Sequence, residues 1–238
     1  MRKRMALKIG LALFVALLTL AVMLPAAHAL QFVYDINLSG CSSPGCGAPS
    51  YGTVTVTDSG VNTVTVLLTL ANSERVINTG VGDHDSVFAF NLASNPTISI
   101  SGATPGFALV GGSPTGATAG GIHFDGFGDF EYGLTCTAAV CGNGGGDGFA
   151  GPVSFTLTDG AGFSATSFAE LSTGGTAAYF AVDIVRPSTG GTGAVGSNIF
   201  TQTLVVVPEP STFVLVGTML VGLGIWARRR VSGRVQPA

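Results

Sequence analysis

Valine and threonine alternate through Tyr51-Gly52-Thr53-Val54-Thr55-Val56-Thr57, and after Asp58-Ser59-Gly60 the pattern resumes as Val61-Asn62-Thr63-Val64-Thr65-Val66. A period of two sends successive side chains to opposite faces of a strand, so each run has one apolar and one hydroxyl-bearing face. Joined by turn residues, the two runs predict an antiparallel hairpin. Short β-branched or aromatic runs recur at 31–38, 86–92, 97–101, 130–135, 153–158, 177–185 and 199–206; with 51–57 and 61–71 they predict nine strands. No amphipathic segments of 10–15 residues separate them, which excludes a parallel sheet with crossover helices. The expected fold is all-β, an antiparallel β-sandwich of jelly-roll-like or Ig-like type. Residues 104–121 and 186–197, rich in Gly, Pro, Ser and Thr, are expected to be exposed loops, and no internal repeat divides the domain.

Charge is segregated along the chain. Of ten basic residues, Arg2, Lys3, Arg4 and Lys8 lie near the start and Arg228, Arg229, Arg230 and Arg234 near the end. Residues 30–206 keep only Arg75 and Arg186 against twelve carboxylates, which leaves that region at −10 although the whole chain stands at −3. Such a field repels polyanions, so nucleic acid is excluded as a partner.

The two ends read as addresses. Residues 1–29 have a basic start, an apolar stretch from Ile9 to Leu24, and Ala27-His28-Ala29 as a small-x-small site, so cleavage by signal peptidase after Ala29 is expected. Residues 211–227 contain 17 uncharged positions, enough for a helix of about 25 Å that spans a bilayer core. Arg228, Arg229 and Arg230 form a membrane stop that stays cytoplasmic, which puts residues 30–206 on the far side, as the leader also requires. The expected organisation is a signal helix at 1–29, an exported domain at 30–206, a sorting and anchor segment at 207–230 and a cytoplasmic tail at 231–238.

Before the apolar helix stands Val207-Pro208-Glu209-Pro210. Each proline lacks an N–H and restricts its predecessor, so this tetrapeptide stays extended and open to a protease. The order of this motif, the apolar helix and the arginine cluster resembles the PEP-CTERM sorting signal of bacterial proteins handled by exosortase. The resemblance implies a membrane-anchored precursor, removal of the tail near the motif, and a mature domain at the cell surface or released, in bacteria that make exopolysaccharide. The stretch from Phe130 to Cys136, Cys141 to Gly146 and Val153 to Leu157 is also similar to ectodomains carried by such proteins, and that similarity implies no activity.

Cysteine supplies the chemistry inside the domain. Cys41 and Cys46, and Cys136 and Cys141, are two pairs of equal spacing in a region bound for an oxidising space. Four cysteines admit three pairings, and local bridges Cys41–Cys46 and Cys136–Cys141 are expected. Zinc is the competing use, but the spacing departs from Cys-x₂-Cys.

Asp125, Asp129 and Glu131 fall within seven residues, and Asp147 follows in a glycine-rich stretch. Together they are candidate calcium ligands, although neither an EF-hand nor a tandem calcium repeat is present. Asp83-His84-Asp85 places an imidazole between two carboxylates; a solvated turn is expected there. His123 is the other histidine of the exported region, and no nucleophile elbow, metalloprotease or phosphate-loop motif occurs. The functional expectation is a non-enzymatic surface or matrix protein whose partners are signal peptidase, an exosortase-type enzyme, the membrane and exopolysaccharide. The alternatives are a carbohydrate-binding module, calcium-assisted or not, and a polysaccharide hydrolase.

Overall fold

The structure, a computed structural model, describes residues 27–41, 45–47, 49–111, 121–142, 148–160 and 162–207, with positions 217, 219, 220, 222 and 223 of the tail. The described strands are, in order, β1 (Ala27–Ile36), β2 (Leu38–Ser39), β3 (Gly52–Gly60), β4 (Thr63–Leu70) and β5 (Arg75–Val76). They continue with β6 (Ser86–Phe90), β7 (Ser99–Ser101), β8 (Phe107–Gly111), β9 (Ile122–Phe124) and β10 (Gly128–Phe130). The last five are β11 (Tyr132–Cys136), β12 (Val153–Thr158), β13 (Phe180–Arg186), β14 (Gly191–Ser197) and β15 (Ile199–Val207). One four-residue helix, α1 (Ala138–Cys141), lies between β11 and β12. Residues 29–204 form one compact unit.

The alternating hairpin appears as β3 and β4, with Val56 opposite Val66 and Val54 opposite Leu68. All four are buried, while Thr55 between the first pair and Leu67 between the second face the other side, as the period requires. The strands run further toward the turn than expected: Gly60 pairs with Thr63, and Asn62 takes the left-handed conformation that lets two residues reverse the chain. This hairpin sits in a six-stranded sheet of order β15-β1-β3-β4-β12-β7. A second sheet has the order β2-β14-β13-β6-β11-β8, with β5 beside β13, and every described register in either sheet is antiparallel.

Between the sheets lies an aromatic core. Phe90 stacks on Tyr132 at 5.4 Å, Tyr34 meets Phe180 edge-on at 4.8 Å, and Phe88, Phe155 and Phe168 pack around them. Burial of each such ring contributes about 2–3 kcal/mol, and paired rings add up to about 1 kcal/mol beyond area. The all-β sandwich is thus observed.

The second sheet is buried on both faces, which the pattern of the sequence did not predict. Its outer face carries Ala89, Ala181 and Ala194 with Gly133 and Gly196, and the β9–β10 hairpin covers it with Ile122, Phe124, Phe127 and Phe130. Small residues are required there: a Cβ on Gly196 would stand 2.6 Å from Cε1 of Phe127. This corrects two expectations. Residues 107–111 and 191–197 are strands, not exposed loops, and β14 reads as a loop because its glycines are pressed by the Phe127 ring at Gly196 and by the Gly45 and Cys41 segment at Gly191 and Gly193. The run 130–135 is likewise two strands, β10 and β11, parted at Glu131.

Candidate functional site

The β9–β10 hairpin presents the polar face of this third layer. Its register sets His123 opposite Asp129, and imidazole Nδ1 lies 2.8 Å from Asp129 Oδ1. The His123 backbone N–H donates to Asp83 Oδ2 at 3.3 Å, so the Asp83-His84-Asp85 segment meets the hairpin. That segment is an exposed 3₁₀ turn, as expected, with His84 and Asp85 at positive φ and Ser86 Oγ donating to the Asp83 carbonyl at 2.7 Å. The hydrogen bond to Asp129, followed by the charges of Asp129, Asp83 and Asp125, raises the His123 pKa above its ordinary value. Both partners are well exposed, so water screens the pair and its contribution to stability is small.

The candidate calcium ligands separate. Asp129 is engaged with His123 and Asp125 is exposed in the hairpin turn, whereas Glu131 is only 6% exposed. Asp147 lies outside the described residues. Among the described residues no group of three His, Cys, Asp or Glu side chains is placed to hold a metal ion.

Both expected disulfides are present, with Cα separations of 5.7 Å for Cys41–Cys46 and 6.0 Å for Cys136–Cys141. The second is spanned by α1. Beside the first, Gly47 packs on the Arg186 guanidinium so closely that a Cβ would collide with it. Arg186 Nη2 and Nε donate to Glu74 Oε1 at 2.5 and 3.1 Å, and the Glu74 side chain is wholly buried. Burial raises the Glu74 pKa, and the guanidinium opposes that shift. Arg186 also lines an open cleft of about 540 Å³ with Pro49, Ser50, Asn72 and Ser188. A second cleft, of about 410 Å³, is formed by Asn78, Asp85, Thr135 and Cys136.

Asp183 points from β13 into the Gly- and Ala-lined layer, completely buried. The Thr79 N–H donates to Oδ2 at 2.6 Å and Thr79 Oγ1 donates at 2.8 Å. Burial nevertheless pushes its carboxyl up to about 6, because two donors do not replace bulk water. Sequence reading passed over Asp183 and Glu74. The available signal was a lone carboxylate within the apolar run Phe180-Ala181-Val182-Asp183-Ile184-Val185, since such a group is buried with dedicated donors.

Comparison with protein families, with curated proteins and with solved structures gives no match. Of the sorting motif, Val207 ends β15, while Pro208, Glu209 and Pro210 and the stop Arg228, Arg229 and Arg230 lie outside the described residues. Gly217, Met219, Leu220, Gly222 and Leu223 are helical; among the described residues no helix is long and apolar enough to cross a membrane. At the other end the leader lies outside the described residues except for Ala27, His28 and Ala29, which begin β1. The pairing of β1 with β3 starts at Gln31, so a cut after Ala29 would leave all six of those positions intact.

Proposed function

We propose that the chain is an exported protein of the cell surface or extracellular matrix with a structural or interaction role. Signal peptidase removes residues 1–29 and an exosortase-type enzyme acts at the PEP-CTERM signal. The observation that carries this reading is the ordered Val207-Pro208-Glu209-Pro210, the uncharged stretch 211–227 and Arg228-Arg229-Arg230, joined to an exported region with only two basic residues. Two short-range disulfides support an oxidising destination. In this reading the sandwich is a jelly-roll-like or Ig-like module held, in the precursor, between a signal helix and a membrane helix.

The test is replacement of Glu209 by Ala in the producing bacterium. The variant should keep its tail and stay in the membrane fraction, while the parent chain loses the tail. Identical tail lengths and fractionation for the two proteins would count against the reading.

A second reading, a carbohydrate-binding module acting on exopolysaccharide, is favoured by the open polar cleft that Arg186 shares with Ser50, Asn72 and Ser188. Hydroxyl, amide and guanidinium groups are the donors that sugar hydroxyls accept from. A glycan array on the mature protein would show selective binding, weakened by Asn72→Ala. An array with no signal would remove this reading.

A further inference from the structure

Three of the large apolar side chains that the sandwich leaves exposed lie on one strand: Ile199, Phe200 and Leu204 of β15 are 50%, 36% and 71% exposed. The residues among them, Thr201, Gln202 and Thr203, are exposed as well. β15 stands at one end of the six-stranded sheet, with β1 on one side and no described strand on the other. An edge strand carries a row of N–H and C=O groups that point away from the sheet, and proteins block such a row with lysine, proline, a bulge or a very short strand. β15 has none of these: it runs nine residues, Ile199–Val207, without a charge or a proline, in an exported region that holds twelve carboxylates.

The other described sheet ends match it poorly. β7, at the far end of the same sheet, has three residues. The second sheet ends in β2, of two residues, and β8, of five, where only Ala108 is exposed. The edge that fits β15 best is β15 itself, and its side chains are self-complementary. The Phe200 ring lies 5.3 Å from Phe32, 5.1 Å from Tyr34 and 5.4 Å from Tyr179, so it turns toward the core side of the sheet. By the period of two, Gln202 and Leu204 share that side, and Thr201 and Thr203 take the other. Antiparallel pairing about a two-fold axis at Gln202 sets Phe200 opposite Leu204 of the second copy and Thr201 opposite Thr203 of the second copy. Apolar then meets apolar, and hydroxyl meets hydroxyl.

We propose that two copies of the chain pair edge to edge through residues 199–204 of β15, joining their six-stranded sheets into one. A two-fold contact spends the same edge on both copies, so it closes as a dimer instead of growing into a fibre. Because the edge belongs to the sandwich, the inference does not rest on removal of either end of the chain.

The experiment is sedimentation velocity on the protein recovered from the producing cells, from about 1 to 100 μM, a range that brackets a micromolar Kd. Its intact mass, measured in parallel, reports any processing of the ends separately. The parent should pass from monomer to a species of twice that mass. The double variant Thr201→Lys, Thr203→Lys sets like charges opposite one another across the two-fold axis and should weaken pairing about tenfold or more. The same charge on the opposite edge of the sheet, in Ser99→Lys, Ser101→Lys, should leave the dimer unchanged. Should the Thr201→Lys, Thr203→Lys chain fail to fold by circular dichroism, Gln202→Cys decides: it should give a reducible crosslinked dimer on oxidation, and Ser99→Cys should not. A parent that stays monomeric to 100 μM would overturn the proposal. So would a dimer that survives the β15 lysines, one lost equally with the β7 lysines, or equal crosslinking at positions 99 and 202.

Discussion

Replacing Asp183 with Asn should stabilise the domain at neutral pH and flatten its acid response. The native carboxyl is pushed up to about 6 from an ordinary 3.8, so the folded state binds a proton more tightly than the unfolded state does. The stability associated with that proton is fully present below about pH 4 and is lost as pH rises through about 6. The rise from 3.8 to about 6 corresponds to about 3 kcal/mol, or roughly 5–10 °C in Tm for a domain of this size. Asparagine has nearly the same shape: its carbonyl oxygen, in the place of Oδ2, can accept the Thr79 N–H at 2.6 Å, and its amide nitrogen, in the place of Oδ1, can donate to Thr79 Oγ1 across the 3.0 Å contact, so both sites stay paired without the buried charge.

The assay is urea unfolding of the parent chain and Asp183→Asn at half-unit steps from pH 4 to 8. The difference between the two curves isolates this residue from the other carboxylates. It should favour the variant by about 1–3 kcal/mol at pH 7.5 and shrink through pH 6 to pH 4. A variant less stable than the parent at pH 7.5, or a difference independent of pH, would refute the assignment of burial as the dominant cause.

Other outcomes follow from the packing. Gly196→Val should cost about 2–3 kcal/mol in urea unfolding, because its side chain must displace the Phe127 ring that lies 2.6 Å from a built Cβ. Arg186→Met should cost about 3–5 kcal/mol by leaving Glu74 buried and unmatched, and Glu74→Gln in the same chain should recover part of the loss, as a double-mutant cycle would show. Replacing Cys136 and Cys141 by Ser should cost about 2 kcal/mol in melting under non-reducing conditions, the entropic scale of so short a loop, with the sandwich spectrum retained.

What the sequence disclosed follows physical lines. β3 and β4 were legible because one of their faces is wet and the other dry, so alternation of valine and threonine records the pleat directly. The disulfides were legible because a five-residue separation permits a local bridge. β14 was not legible: Gly191-Thr192-Gly193-Ala194-Val195-Gly196-Ser197 has loop composition, and its glycines are explained only by the rings and backbone that press on them. A sheet covered on both faces loses alternation, which hid the β9–β10 layer.

The polar groups show the same division. Asp83 and His123 were each singled out, but only the third layer places one against the other. Asp125, Asp129 and Glu131 are neighbours in sequence, yet Asp129 pairs with His123 on the hairpin while Glu131 is buried at a strand break. Spacing along a chain cannot reveal which of several nearby carboxylates the fold buries.

The central claim, that both ends of the chain are processed and only the sandwich is delivered, is tested most directly by intact-mass and terminal-peptide mass spectrometry of the protein recovered from the producing cells. The account predicts an amino terminus at Leu30 and a carboxyl terminus within residues 207–210, without Arg228, Arg229 and Arg230. Recovery of surface protein that still begins at Met1, or still carries the arginine cluster, would contradict it.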